Sequence, residues 1–246
     1  MPQHMIGYSE VLAGATPLGA ITALEDETMT IEGNDVQVTD LNKVLAVAGH
    51  GLALTQLRLN SPSLRAMYPF YVTPFEIGTD FGNPQKVVDL RATPLELVTE
   101  EDLNAELETS GASRPVVGLV MGDASPAPAS GKIFTLRATG TKTLTPYIWD
   151  NVPITFDVDL PAGDYDVVGL RAISATAELA RLVFKGESFR PGVLASNSEE
   201  VLENPMFRNG QMGVIGSFKH NVRPSVEVMA RAADTAEIFY LDLIKK

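Results

Sequence analysis

The sequence predicts an all-β chain folded as two similar halves in tandem. Three observations carry the prediction. Short runs of β-forming residues recur between turn residues along the whole chain. The stretch Val167–Phe184 has a counterpart in Val44–Leu59, and one shift of 123 residues aligns Val44 with Val167 and Leu57-Arg58-Leu59 with Ala180-Arg181-Leu182; that shift is half the 246-residue length. Between the halves lies Asp123–Gly131, small residues with two prolines, which reads as a semi-extended linker.

Each element follows from local chemistry. Residues 1–16 lack a clear period and are expected to form an N-terminal arm, with Tyr8–Leu12 either a short helix or a segment lying on a neighbour. Ile21–Leu24 and Thr28–Ile31 are short β runs, and Gly33-Asn34-Asp35 is turn chemistry, because Gly and Asn accept positive φ. Val44–Val47 and Leu52–Leu59 read as adjacent strands reversing at Gly49-His50-Gly51, and Asn60-Ser61-Pro62-Ser63 ends the pair. Phe70–Val72 and Phe75–Ile77 form a strand interrupted at Pro74, and Val87–Leu90 and Leu95–Val98 flank Pro94. Thr99-Glu100-Glu101-Asp102 predicts a helix start, with a capping hydroxyl and acids at the positive end of the dipole. Leu103 and Leu107 would then form its apolar face. Val116–Met121 closes the first half as a buried strand.

The second half runs through similar elements. Lys132–Ala138 and Leu144–Trp149 are expected strands, and Ile154–Asp159 alternates strictly, as a half-buried strand does. Val167–Phe184 reads as two adjacent strands with a reversal near Ser174-Ala175. Asn197 with Glu200 fits a capping pair for a short helix, and Asn209-Gly210 is a tight-turn signal. Gly213–Phe218, Val226–Met229 and Ile238–Leu241 complete the set. About eight strands per half, in two packed sheets, is the jelly-roll number. The fold class expected is therefore all-β: two tandem eight-stranded jelly-roll sandwiches with a few short helices. The expected layout is arm 1–16, first jelly roll 17–123, linker 124–131 and second jelly roll 132–246.

Composition narrows the function. There is no cysteine, so disulfides and thiolate chemistry are excluded. The first residues have no basic, apolar leader pattern, and no apolar run reaches the roughly 18–20 residues of a spanning helix. The net charge is −12, with 17 acidic and 6 basic residues in 1–123 against 14 and 13 in 124–246. An acidic body argues against direct nucleic-acid binding. It reads either as a solvated surface or as an acidic half facing outward in an assembly.

No motif of nucleotide binding or hydrolysis is present. His4, His50 and His220 form no close pair and no HExxH pattern, and no G-x-S-x-G elbow accompanies them, so they read as surface or turn histidines. The acidic group worth weighing is Asp157, Asp159, Asp164 and Asp166, two pairs each spaced by two on either side of Pro161-Ala162-Gly163. Folded back, these could gather oxygens for Ca²⁺, although the spacing is not that of an EF-hand. The plainer reading is solvent-facing acids flanking a hairpin. The same carboxylates could serve glycoside hydrolysis, but Trp149 is the only tryptophan to line a sugar cleft. Arg58 and Arg181 hold corresponding places in the two halves and read as partners of carboxylates across a sheet. No cofactor is expected, and no enzyme.

With Val44–Leu59 matched to Val167–Phe184 and the boundary at Asp123–Gly131, the chain resembles the double jelly-roll major capsid proteins of tailless icosahedral viruses. The resemblance is architectural and covers nearly the whole chain. It implies a homotrimer in which six jelly rolls form a pseudo-hexagonal block tiling an icosahedral shell. It also implies other capsid or vertex proteins as partners, an internal membrane in some members, synthesis in the host cytoplasm and residence in the virion. The arm and Lys245-Lys246 would be candidates for contacts with neighbours or membrane. An assembly protein needs broad self-complementary faces, and apolar loop residues mark them. Met67, Tyr68 and Phe70, with Met206, Phe207 and Met212, are the interface candidates; the alternative is that they tuck over the sandwich ends. The other functional reading is a carbohydrate- or calcium-binding β-sandwich module of a surface complex.

Overall fold

A computed structural model describes residues 2–51, 53–64, 70–72, 87–196, 199 and 204–246. The chain is all-β. Among the described residues twenty strands run in order: β1 (Gln3–Ser9), β2 (Thr16–Ala20), β3 (Ile31–Glu32), β4 (Asp35–Gln37), β5 (Lys43–His50), β6 (Leu54–Asn60), β7 (Phe70–Val72), β8 (Val88–Asp89), β9 (Leu95–Glu96), β10 (Asp102–Thr109), β11 (Val116–Gly122), β12 (Ile133–Gly140), β13 (Asp150–Val152), β14 (Ile154–Phe156), β15 (Asp164–Ile173), β16 (Ala177–Val183), β17 (Gly192–Ser196), β18 (Gly216–Lys219), β19 (Ser225–Ala230) and β20 (Glu237–Lys245). The helical pieces among the described residues are two single 3₁₀ turns, Pro62–Leu64 and Pro205–Phe207.

The described residues divide into two compact units, with the chain passing from one to the other between Ser125 and Pro126. The amino-terminal residues 2–5 belong with the second unit, and the first begins at Ile6.

In the first unit one sheet has the order β1-β11-β5-β8, with β9 also pairing β5. The other has the order β3-β4-β10-β6-β7, with β2 also on β10. Apolar residues alternate along these strands and fill the space between the sheets. Val44, Val47, Leu57, Leu103, Val117 and Leu119 are fully buried members of that core. At about 25 cal/mol per Å² of apolar surface, closing such a core supplies most of what holds a sandwich together. The β3–β4 hairpin turns on Gly33-Asn34 with Gly33 at φ 67°, a conformation that glycine adopts without strain.

In the second unit the hydrogen-bonded path is β13-β19-β16-β17-β15-β20-β12-β14, with β18 on β15. Strand β17 is the joint: it pairs antiparallel with β16 and, over Ala195 and Ser196, parallel with β15. On either side of this joint the orders are β13-β19-β16-β17 and β18-β15-β20-β12. Those eight positions recur in the first unit as β4-β10-β6-β7 on one side and β8/β9-β5-β11-β1 on the other, while β2, β3 and β14 lie outside the common order. Tyr165 anchors this core, stacked on Phe218 at 5.7 Å between centroids and edge-on to Phe134 at 6.1 Å.

Four expectations are corrected. The 1–16 stretch is not a loose arm, because β1 is buried along its whole length and Tyr8 is fully buried. The helix expected from Thr99 is strand β10, in which Leu103, Ala105 and Leu107 all face inward with period two, while Glu100 at φ 71° makes the preceding turn. The capping-like acid of that turn, Glu101, instead accepts from the Ser63 backbone and hydroxyl and from Val98 N–H. The pairs 44–59 and 167–184 are not hairpins: β5 and β6 lie in different sheets, and β15 and β16 do not pair with each other. Of the strand expected over Leu144–Trp149 only an isolated bridge from Pro146 to Ala230 forms, and Ile154–Asp159 keeps only β14. The helix expected at Asn197–Glu200 and the strand Phe75–Ile77 lie outside the described residues.

Tyr8 ties β1 to β10 through a hydrogen bond from its hydroxyl to the Leu103 carbonyl at 2.9 Å. We expect Tyr8→Phe to lower the unfolding free energy by about 1 kcal/mol, since the lost bond is buried. Denaturant unfolding checks this, and an unchanged midpoint would mean that β1 is held by its backbone alone.

Candidate functional site

The second unit concentrates buried charge, and its strands explain where. In β20 the side chains of Phe239, Leu241 and Leu243 face the core and are fully buried. Asp242 lies on the opposite face, yet it is also fully buried. The loop that follows Pro205–Phe207 covers it. Arg208 donates to both carboxylate oxygens, Nε to Oδ2 at 2.8 Å and Nη2 to Oδ1 at 2.9 Å. Asn209 N–H adds a bond to Oδ2 at 2.8 Å and the Thr135 hydroxyl one to Oδ1 at 2.7 Å. Burial by itself raises the Asp242 pKa. The Arg208, Asn209 and Thr135 bonds together outweigh it and hold the group below its ordinary range. Gly169 completes this site. A Cβ there would collide with Asp242 Oδ2 and stand 3.0 Å from the Phe207 carbonyl, so the loop can close only over a residue without a side chain.

A second cluster lies on the other layer. Arg181 of β16, 3% exposed, donates through Nε to Glu227 of the paired strand β19 at 2.6 Å and through Nη1 to the Met5 carbonyl at 3.2 Å. Its guanidinium carbon stands 4.0 Å from the centre of the Trp149 ring. His4 is buried beside it, its Nε2 3.5 Å from Arg181 Nη1 and its Nδ1 accepting from Arg190 N–H at 3.1 Å. The expected partnership of Arg58 and Arg181 with carboxylates across a sheet is present in both units. Arg58 on β6 bonds Glu106, its register partner on β10, as Arg181 bonds its register partner Glu227.

A third feature is a buried acid without support. Glu237 shares the inward face of Phe239 and Leu241, is 1% exposed, and neither of its carboxylate oxygens takes a hydrogen bond among the described residues. Burial, followed by the negative charge of Asp234, pushes its pKa up to about 7. Asp234 is occupied in another way, accepting from the hydroxyls of Ser174 and Thr176 at 3.1 and 3.3 Å.

The residues singled out in the sequence are distributed rather than gathered. Asp157 accepts from Arg137 at 2.7 Å, fully exposed Asp159 faces Arg223 at 3.5 Å, and Asp166 accepts from Lys246 at 2.8 Å. Asp164 is exposed at the start of β15. Each of the three paired aspartates answers a different cation, and no group of three or more His, Cys, Asp or Glu able to hold a metal ion occurs among the described residues. The calcium-site candidates are therefore corrected to separate surface carboxylates. Of the interface candidates, Met206, Phe207 and Met212 are 3, 6 and 3% exposed, because the Asp242–Arg208 clasp draws their loop onto the sheet. Their side chains pack beneath that loop. Met67 and Tyr68 lie outside the described residues, as does the side chain of Phe70, whose backbone belongs to β7. Of the histidines, His4 is buried in β1 rather than at a surface or turn. His220 accepts from Gly163 N–H at 3.4 Å, and His50 belongs to the backbone of β5.

The buried charges were missed in the sequence, although one signal could have found them. A lone charge inside an apolar strand run, such as Asp242 within Ile238–Ile244, needs a partner wherever both faces of the strand are covered.

Two outcomes are expected. Asp242→Asn should destabilise the protein by about 3–5 kcal/mol at neutral pH, because it leaves the Arg208 charge buried without its counter-ion. Its lowered pKa means that Asp242 contributes stability above its unfolded pKa and loses it as pH falls through the folded one, so the penalty should shrink in acid below about pH 4. Glu237 has the opposite sign. Its folded pKa lies above the unfolded one, so stability is full below about pH 4.5 and is lost as pH rises toward 7. Glu237→Gln should therefore gain melting temperature relative to the parent as pH is raised over that interval; parallel curves from pH 4 to 8 would refute it.

No protein-family model matches the chain, and no curated protein sequence matches it. Among solved structures, the major capsid protein P2 of bacteriophage PM2 aligns over 98% of both chains at 10% identity, with a TM-score of 0.28. The STIV major capsid protein aligns over 97% of both chains at 8% identity, also with a TM-score of 0.28. At such scores the alignments stand as likenesses alone.

Proposed function

We propose that the chain is a viral major capsid protein, built of two tandem jelly rolls and working as a homotrimer. One observation carries this reading. The same order of eight strand positions, in two sets of four, is built twice by one chain. Eight antiparallel strands in two facing sheets form the jelly roll, a frame that supplies rigid upright blocks. Two blocks in one chain give a trimer six of them, enough to pack a near-hexagonal tile with closed three-fold symmetry.

The buried chemistry supports a role in which the chain is a building block. Asp242 is spent on Arg208 and the Asn209 backbone, which holds a loop to its sheet, and Arg181 is spent on Glu227 and the Met5 carbonyl, which holds the amino-terminal residues to theirs. Such clasps fix shape. In this reading the trimer assembles further with copies of itself and with other shell proteins, and the protein resides in the virion after synthesis in the host cytoplasm. An underlying membrane would be met by exposed basic residues such as Lys245 and Lys246.

The test is mass in solution. Light scattering on the size-fractionated protein should return three times the 26.4 kDa chain mass, and electron micrographs should show three-fold blocks with six lobes. A monomer at every concentration and salt condition would sink the proposal. It would move the chain toward a binding module.

A further inference from the structure

One end of the second unit carries a hollow of about 350 Å³ lined by Asp164, Lys185, Ser217, Phe218, Lys219, Val222 and Lys246. In a chain of net charge −12, three lysines here come from three separate places: the end of β18, the segment after β16 and the last residue after β20. Lys246 is committed, its ammonium 2.8 Å from Asp166 and 3.3 Å from the Ser217 hydroxyl. Lys185 and Lys219 are exposed and form no ion pair among the described residues. Lys245 adds to the field from the neighbouring position, its stem packed against Gly163. Val222, 37% exposed, gives the hollow an apolar wall.

We infer that this hollow binds a phosphate group. The chemistry is specific in three respects. Two uncommitted ammonium groups on different elements can approach one dianion from two sides, and each supplies several donors. Asp164 and the Lys246-bound Asp166 keep the charge excess small, so a compact phosphate is favoured over an extended polyanion. An apolar wall beside the cations suits a phosphate ester that bears a carbon substituent, whether a free metabolite-sized ester or a phospholipid headgroup. The inference stands on the hollow alone and does not depend on the trimer or on the shell.

The experiment uses the full chain and the double variant Lys185→Gln/Lys219→Gln, both side chains being exposed and outside the core. Calorimetry measures inorganic phosphate binding against chloride of matched ionic strength. Cosedimentation measures binding to phosphatidylcholine vesicles with and without phosphatidylglycerol. Phosphate binding that weakens about a hundredfold in the double variant supports the site with a free ester as its source, since the variant removes two charge-assisted contacts and each corresponds to about tenfold. Binding confined to the anionic vesicles and lost in the double variant supports it with a lipid headgroup as the source. No binding in either arm, or equal binding by parent and variant, overturns it. Should the double variant melt early, Lys219→Gln alone is read against the same outcomes, at about tenfold for its one contact.

Discussion

The architecture depends on a corner that each half of the chain turns once. Between β5 and β6, and again between β15 and β16, three residues separate strands that do not pair with each other. A hairpin would leave one face of both strands in water. Here β5, β15 and β16 are buried along most of their length, and Leu54, Leu57 and Leu59 of β6 point inward. Gly49 of β5 lies so close to Leu57 of β6 that an added methyl would stand 2.7 Å from Leu57 Cδ2. The two strands therefore face each other across the core. Once consecutive strands lie on opposite sides, the remaining strands must add to the two edges, and a sandwich results.

The strength of this constraint explains what the sequence disclosed and what it hid. The class was legible because β-branched, apolar runs survive in strands that border the core, as in Val44–Val47 and Val116–Met121. The partners of those strands were not legible. Val167–Phe184 looks the same whether its two strands form a hairpin or cross the core, since periodicity reports which face is buried and is silent about the neighbour. The misread helix at Thr99 has a different cause. Thr99-Glu100-Glu101-Asp102 carries helix-start chemistry, and Leu103 with Leu107 fits a helical face, but Ala105 completes a period-two stripe as well. Tertiary burial chose the stripe, and the acid went to the Ser63 turn. The amino-terminal stretch was hidden because Gln3 and His4 are polar, yet both are buried within unit contacts: Gln3 donates to the Met212 carbonyl at 2.8 Å, and His4 accepts from Arg190 N–H.

The candidate site was harder to see for a related reason. Apolar loop residues look like interface residues until something is known to hold them down. The loop containing Met206, Phe207 and Met212 is held by Asp242, some 34 positions away from Arg208 in the chain. Neither half of that clasp is informative by itself. The four aspartates flanking Pro161 failed as a metal cluster for the opposite reason. Spacing put them near one another in sequence, but Arg137, Arg223 and Lys246 reach them from different strands and separate their roles.

The paired arginines show how two copies of one frame diverge without losing it. In the first unit Arg58 is 30% exposed and its contact with Glu106 lies at a partly wet surface, where such a pair is worth at most about 1 kcal/mol. In the second unit the same place on the frame holds Arg181 at 3% exposure, over Trp149 and against the Met5 carbonyl. A charge that dry is tolerable only while all of its partners stay, because removing one leaves the ion buried and unmatched. The frame is thus the same twice, but the second copy has made its arginine a condition of folding, and the amino-terminal residues that supply His4 and the Met5 carbonyl are part of that condition. Chemistry at the corresponding position of the frame follows what covers it.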